Sequence, residues 1–346
     1  MPALSTFWET KKAETEAQRV IIQAPARSET TIGLLPLLLN SENRRNFDIQ
    51  FFSQGGKKKI VKYKYMQRGI ESENITTPTG LNYCETENDI AYLEGQKECT
   101  GYIARKFTIP LNYTRKFDEN LNSFFQDGLM TIINPMLTAI NKDLIGTFEA
   151  ARGFTSAGNV TPISAQGFVS YATREINRAF DDTVALEFEN LEHNGMLMMA
   201  GAGKVRSYAN VLRRGGLNDK GQIVDLGILD DKFIYQPDTT LDTVIGTPDN
   251  ALVWKPGAAQ FLEYFENRGE YVVMDSDIIK DVIIVQFNGF NIAFDITISK
   301  NYCDKALAGW VVTLEKNYDF WNYDTDIFKV GDTMESVNWL ERFVMT

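Results

Sequence analysis

A long amphipathic helix is the feature that most constrains how this chain can fold. Between residues 117 and 148, apolar side chains recur at steps of three and four, which places them on one face of an α-helix. These side chains are Leu121, Phe124, Phe125, Leu129, Ile132, Ile133, Met136, Leu137, Ile140, Leu144, Ile145 and Phe148. The pattern predicts a helix of roughly thirty residues, about 45 Å long. Pro135 predicts a kink or interruption within it, and Gly153 predicts its end.

The segment before this helix predicts a β-ribbon. Residues 47–51 alternate apolar and polar side chains, residues 53–56 are typical of a turn, and residues 57–65 return as a second strand. A closing strand is predicted over residues 100–111. On the returning strand, alternation separates Lys58, Ile60, Lys62 and Lys64 from Lys57, Lys59, Val61, Tyr63 and Tyr65. Because neither face is apolar enough to form a core face of an isolated protein, we expect this two-stranded ribbon to pack against another subunit.

The first forty residues do not resemble the start of a compact domain. They are polar and charged until residues 20–22, Pro25 interrupts them, and residues 29–40 predict a short apolar helix that contains Pro36. We interpret this region as an extended arm that a neighbour must cover. The alternative is a frayed N-terminus followed by one core helix.

The chain after the long helix alternates helix and strand signals. Helices are predicted over residues 164–180, 204–213 and 256–267, the last one opened by Pro256. Strands are predicted over residues 196–200, 250–254, 282–287, 290–298 and 310–314. Residues 218–247 are polar and rich in turn formers, and the aromatic, acidic tail of residues 317–346 needs a surface to pack on.

Composition excludes several classes of protein. The 346 residues include 35 basic and 46 acidic side chains, a formal net charge of -11, which disfavours a dedicated nucleic-acid binder. No stretch approaches the ~20 apolar residues that span a bilayer, and the start lacks the layout of a secretory signal, so we expect a cytoplasmic protein with no membrane partner. The three cysteines, Cys84, Cys99 and Cys303, lack paired metal-ligand spacing and are expected to be free thiols.

Candidate chemical motifs are few. Residues 200–204 (Ala-Gly-Ala-Gly-Lys) lie between a predicted strand and helix, but they lack the spacing and the Ser or Thr of a phosphate-binding loop, so a tight turn is the favoured interpretation. Asp230 with Asp231, and Asp275 with Asp277, have ligand atoms for a divalent cation, although solvated acidic loops are the favoured interpretation in a chain this acidic. The single histidine, His193, is interpreted as a turn residue, which restricts acid-base catalysis. We therefore assign no catalytic, cofactor or metal site.

One dense basic segment is the best candidate for a binding surface. We expect intersubunit contacts from Arg44, Arg45, Lys57, Lys58, Lys59, Lys62, Tyr63, Lys64 and Tyr65. In an otherwise acidic chain, the acidic surface of an adjacent copy is the favoured partner, because opposite charges fix the register of assembly. Nucleic acid is the alternative, with lysine for phosphates and tyrosine for base stacking.

In this order, the elements resemble the major capsid proteins of tailed double-stranded-DNA bacteriophages, whose Hong Kong 97-like fold is shared with encapsulin shells. The segment of residues 250–261 (Asn-Ala-Leu-Val-Trp-Lys-Pro-Gly-Ala-Ala-Gln-Phe) also looks like strand-then-helix segments of such coat proteins. The resemblance implies an α+β fold with mixed α/β peripheral and axial domains. Its parts would be an N-terminal arm (1–43), an extended β-hairpin loop with flanking strands (44–112), a spine helix of the peripheral domain (113–162), an axial-type α/β domain (163–281), and return strands with the C-terminal segment (282–346).

The same resemblance implies a structural protein, not an enzyme. It would form pentamers and hexamers of an icosahedral head around double-stranded DNA, assembled in the bacterial cytoplasm and located in the virion capsid. Scaffold, portal or decoration proteins and packaged DNA are the implied further partners. The alternatives are another phage structural protein of the tail tube or baseplate, an encapsulin-like compartment, and a soluble enzyme with a carboxylate site.

Overall fold

The fold is seen in a computed structural model of the chain, which describes most but not all residues. The described residues are 33–45, 47–54, 58–67, 91–110, 121–152, 160–163, 184–185, 188–189, 193, 195–214, 232–265, 272–275, 278–287, 290–301, 309–322, 326–330, 333–337 and 339–345.

Helices and strands are labelled here in chain order. The helices are α1 (Leu34–Leu38), α2 (Ser41–Arg44), α3 (Leu121–Ala151), α4 (Gly203–Arg214) and α5 (Leu241–Ile245). The first strands are β1 (Phe47–Gln54), β2 (Lys58–Gln67), β3 (Ala91–Glu98), β4 (Gly101–Pro110), β5 (Val160–Ile163), β6 (Leu197–Gly201), β7 (Phe233–Pro237) and β8 (Asn250–Trp254). The later strands are β9 (Ala259–Tyr264), β10 (Val272–Asp275), β11 (Ile278–Phe287), β12 (Phe290–Asn301), β13 (Gly309–Asn322), β14 (Asp326–Val330), β15 (Thr333–Val337) and β16 (Leu340–Met345).

An antiparallel central sheet and the long helix α3 form the largest layer pair. The sheet has the strand order β10-β11-β12-β13-β4, and β9 also pairs with β13. Helix α3 packs on β4 and β13, with the Phe125 and Phe107 rings 6.2 Å apart. Its 31 residues continue through Pro135, so the prediction of a long amphipathic helix is confirmed.

A second sheet and a hairpin complete the described architecture. The second sheet has the order β5-β16-β8-β6-β7, in which β5 with β16 and β6 with β7 are parallel pairs. Strands β14 and β15 form an antiparallel hairpin. Helices packed on mixed and antiparallel sheets confirm the α+β class. Below, the body denotes the central sheet, the second sheet and the helices.

The helix predicted to start at Pro256 is wrong. The structure has a turn there, with Gly257 at φ 93°, followed by β9. All six residues of β9 are buried, so their sequence shows neither strand alternation nor a helical stripe. A proline that begins a helix and a proline in a tight turn cannot be distinguished from the local sequence.

The apolar helix assigned to the arm lies in the core of the same subunit. Leu34, Leu35 and Leu38 of α1 are completely buried. The carboxylate of Asp238 accepts hydrogen bonds from the backbone N–H of Gly33 (2.9 Å) and Leu34 (3.2 Å), which satisfies the start of the helix. The arm prediction therefore fails for residues 33–43, and residues 1–32 lie outside the described residues.

Asn43 joins this N-terminal region to the second half of the chain. Its buried side chain donates to the carbonyls of Leu38 (3.3 Å) and Ala259 (2.7 Å). It accepts from Trp254 Nε1 (3.2 Å) and the Gly257 N–H (3.0 Å). Four hydrogen bonds on one buried amide hold α2 against the turn between β8 and β9.

The other element predictions have mixed outcomes. The predicted strands at 196–200, 250–254, 282–287, 290–298 and 310–314 and the helix at 204–213 are confirmed, several with longer bounds. The stretch of residues 218–247 contains β7 and α5, which were not predicted because the stretch is polar and rich in turn formers. The helix predicted at 164–180 lies outside the described residues. The ribbon has three strands, because β3 pairs along β2.

Candidate intersubunit surface

The ribbon sheet, formed by β1, β2 and β3, carries most of the basic residues selected from the sequence. Strand β2 is its centre, paired with β1 from Phe47↔Tyr65 to Gln54↔Lys58 and with β3 from Ile60↔Glu98 to Gln67↔Ala91. Since side chains alternate along a strand, β2 directs its residues to two opposite faces.

The inner face of the ribbon sheet packs on the body. Val61 is fully buried, and the rings of Tyr63 and Tyr65 lie 5.2 and 5.1 Å from the ring of Trp321. Lys59 Nζ donates to Asn317 Oδ1 at 2.7 Å. The prediction that neither face suits a core is therefore wrong for this face, whose partner is β13 of the same chain.

Gly95 makes room for this packing. It lies directly across from Tyr63 in the register of β2 and β3, and a Cβ placed on it would lie 2.5 Å from the Tyr63 ring. A glycine within a strand usually weakens it, because it has no side chain to pack. Here the tyrosine ring covers the glycine and reaches Trp321 in the same conformation.

The outer face of the ribbon sheet is exposed and mixed in charge. Lys62 and Lys64 lie on it beside Glu94 and Glu98 of β3, since Lys64 pairs with Glu94 in the register. Lys64 forms an ion pair with Glu94. The hydrogen bond from Lys64, with the nearby charges of Lys64 and Lys62, lowers the pKa of Glu94 from its usual value. Part of the basic charge is therefore balanced within the sheet.

The remaining candidate residues are distributed differently. Arg44 Nη2 lies 3.5 Å from a carboxylate oxygen of Glu263, which also pairs with the completely buried Lys316. Burial lowers the pKa of Lys316, against the opposing influence of Glu263. Arg44 therefore belongs to a structural charge cluster, whereas Arg45 is exposed, 3.9 Å from Glu42. The side chains of Lys57 and Lys58 lie outside the described part of the chain.

A second exposed surface was not found from the sequence. Among the described residues, the large apolar side chains that are exposed are Tyr102 (56%), Met196 (40%), Ile278 (36%) and Ile284 (60%). The registers of β11, β12, β13 and β4 place Tyr102, Ile278 and Ile284 on the same face of the central sheet. Strand β11 has apolar residues at both parities, so its exposed positions give no sequence signal.

The turn between β6 and α4 is already occupied by a carboxylate of the chain itself. Asp249 Oδ1 accepts from the Lys204 N–H at 2.8 Å, and Asp249 Oδ2 lies 3.4 Å from Lys204 Nζ. This carboxylate takes the position at the helix start that an anion would occupy. The interpretation of residues 200–204 as a tight strand-to-helix turn is confirmed.

The other candidate groups for chemistry have structural surroundings where they are described. His193 Nε2 lies 3.2 Å from the Met196 carbonyl oxygen and its ring packs edge-on against Trp339, and burial lowers its pKa. Burial raises the pKa of Cys99 to about 12, so its thiol stays protonated. No group of three metal-ligating side chains occurs among the residues described. Asp230, Asp231, Asp277, Cys84, Cys303 and the Asp275 side chain lie outside them.

Within the described chain, α3 and the shorter helices lack the combination of length and apolar character that a membrane crossing requires.

Comparison with known proteins finds similarity only at the level of structure. No family model and no curated protein matches the sequence. The capsid of Myoviridae phage XM1 is 11% identical, with 86% of this chain and 90% of that chain covered and a TM-score of 0.41. The capsid structure of the cyanophage P-SCSP1u is 12% identical, with 85% of both chains covered and a TM-score of 0.40. The holo-SrpI encapsulin complex from Synechococcus elongatus PCC 7942 is 11% identical, with 81% of both chains covered and a TM-score of 0.36.

Several of the matching structures are phage capsids. Likeness of this degree concerns the fold alone.

Proposed function

We propose that this chain is a coat protein that assembles with copies of itself into a closed shell. The observation that carries the proposal is the two-faced ribbon sheet. Its inner face is fixed to the body through Tyr63, Tyr65 and Trp321, and its outer face presents Lys62 and Lys64 beside Glu94. A surface with both signs of charge can meet the same kind of surface on another copy in a defined register.

The exposed face of the central sheet provides a second contact region. Ile284 is 60% exposed and Tyr102 is 56% exposed on that face. Apolar side chains grouped on one face of a soluble protein favour a protein partner. Two separate surfaces allow each copy to contact several neighbours, and contacts that are modest singly then sum over the shell.

The arrangement of the ribbon sheet favours a protein partner over nucleic acid. Stacking on bases requires aromatic rings on the same face as the phosphate-binding lysines. The Tyr63 and Tyr65 rings face Trp321, on the side opposite Lys62 and Lys64. The net charge of -11 also repels a phosphate backbone.

The finer parts of the proposal follow the resemblance to tailed-phage capsid proteins. The shell would be an icosahedral head of pentamers and hexamers that encloses double-stranded DNA, assembled in the bacterial cytoplasm. Scaffold, portal or decoration proteins are the proposed further partners. We retain the regions proposed from the sequence, with residues 33–43 moved from the arm to the body.

Charge reversal on the outer face tests the proposed contact. In the double variant Lys62→Glu, Lys64→Glu, the concentration needed for assembly should rise by at least about tenfold, which corresponds to roughly 1.4 kcal/mol. The matched control is Lys142→Glu, Lys232→Glu, which reverses two exposed lysines outside the ribbon sheet. Light scattering against concentration gives the threshold, and circular dichroism verifies the fold. Equal thresholds for wild type and the ribbon variant would exclude the outer face as the contact.

A further inference from the structure

Several polar and aromatic contacts between the ribbon sheet and the body meet on one short stretch of β13. The anchor segment is defined as residues 317–321. Lys59 Nζ of β2 donates to Asn317 Oδ1 at 2.7 Å. Lys97 Nζ of β3 lies 3.1 Å from Asp319 Oδ1 and donates to the Phe320 carbonyl. Strands β2 and β3 of the ribbon sheet are therefore both tied to the same five residues.

Asp319 also holds the point where the chain leaves the ribbon sheet for the central sheet. Thr100, between β3 and β4, donates to Asp319 Oδ2 through its N–H (3.1 Å) and its hydroxyl (3.0 Å). The Asp319 side chain is only 10% exposed. The three donors that Lys97 and Thr100 direct at this one partly buried carboxylate restrict how the sheet can turn about this point.

The aromatic contacts hold the ribbon sheet against the same segment of β13. Trp321 is 7% exposed and lies under both Tyr63 and Tyr65. Tyr63 in turn covers Gly95, where a Cβ would lie 2.5 Å from its ring. The ionic contacts and the packed rings together restrain the orientation of the ribbon sheet.

We propose that the anchor segment positions the ribbon sheet against the body before any neighbour binds. Asp319 and Trp321 are its principal positioning residues. This inference rests on the proposed function, because the orientation of the sheet matters only if its outer face meets another copy. A pre-positioned sheet binds a neighbour without first losing the freedom of a loose one, so the anchor segment strengthens assembly and makes its geometry uniform.

Hydrogen exchange of the full chain, diluted until it is unassembled, tests the anchoring directly. In Asp319→Ala, the β2 and β3 amides should exchange about ten- to a hundredfold faster, as expected for the loss of a charged hydrogen-bond acceptor. The amides of β11 and β12 should keep their wild-type rates. The matched control is Glu94→Ala, which removes a carboxylate that pairs with a lysine of the same sheet on the outer face. Unchanged exchange in β2 and β3, or equal acceleration in β11 and β12, would overturn the anchoring.

The particle size distribution tests the consequence for assembly. Trp321→Leu keeps an apolar side chain but removes the ring beneath Tyr63 and Tyr65. We expect this variant and Asp319→Ala to give a broader distribution of particle sizes in electron micrographs. Particles identical to wild type would overturn the positioning role. If wild type itself forms no particles, the proposed function fails, while the exchange rates still decide whether the segment anchors the sheet.

Discussion

Shortening one leucine of α1 tests whether this helix is part of the subunit core. Leu35 is completely buried, and its N–H donates to the buried Asn141 Oδ1 at 3.0 Å. Leu35→Ala removes three carbon atoms, each contributing about 0.8 kcal/mol of transfer free energy, and leaves a cavity. The expected loss in the free energy of unfolding is about 3–4 kcal/mol, within the usual range of 2–5 for such changes.

Urea denaturation of the unassembled subunit, followed by circular dichroism, measures this loss. The dependence of the free energy on urea should keep its slope, so the loss appears as a lower midpoint. Ile284→Ala is the control, because Ile284 is 60% exposed and its shortening should change stability by less than about 0.5 kcal/mol. If Leu35→Ala also lowers the free energy of unfolding by less than about 1 kcal/mol, α1 is not packed in the isolated subunit. These residues would then belong to an arm that a neighbour must cover.

Three further changes test the packing of charged and polar groups. Asn43→Ala removes the four hydrogen bonds of a buried side chain and should lower the free energy of unfolding, measured by urea denaturation, by about 3–5 kcal/mol. Lys316→Met leaves Glu263 without its buried partner and should cost about 3–5 kcal/mol; adding Glu263→Leu should recover most of that loss, and equal losses in both variants would contradict the pairing. Because burial lowers the pKa of His193, wild type should lose stability as the pH falls below about 6.5, where the unfolded state takes up the proton more readily. His193→Phe, which keeps a ring against Trp339, should flatten thermal stability between pH 7 and 5.

Local periodicity was enough to predict the helices and strands that bury one face and expose the other. The long helix α3 buries Phe125, Leu129 and Ile133 along one stripe, and the sequence carries that stripe. The alternation on β2 likewise divided its residues between two faces. Where both faces of an element are buried, as in β9, no such pattern exists and the prediction of a helix was wrong.

Contacts between distant residues could not be derived from the sequence. Leu34 meets Asp238 across a sequence separation of 204 residues, and Lys59 meets Asn317 across 258. Nothing local to α1 shows that Asp238 satisfies its first N–H groups. Nothing local to Tyr63 shows that Trp321 lies beneath it. We expected that neither α1 nor the ribbon could pack within a single subunit, and this was wrong because their partners are distant in sequence. Of the candidate intersubunit surface, the outer face of the ribbon sheet stays exposed.

Electron microscopy of the purified wild-type chain tests self-assembly into a shell most directly. The image separates closed shells from tubes, rings and dispersed subunits, which correspond to the competing structural roles. Closed, isometric particles of uniform diameter are the expected result. A field of single compact subunits at concentrations well above those of ordinary purification, or of tubes or flat rings, would contradict it.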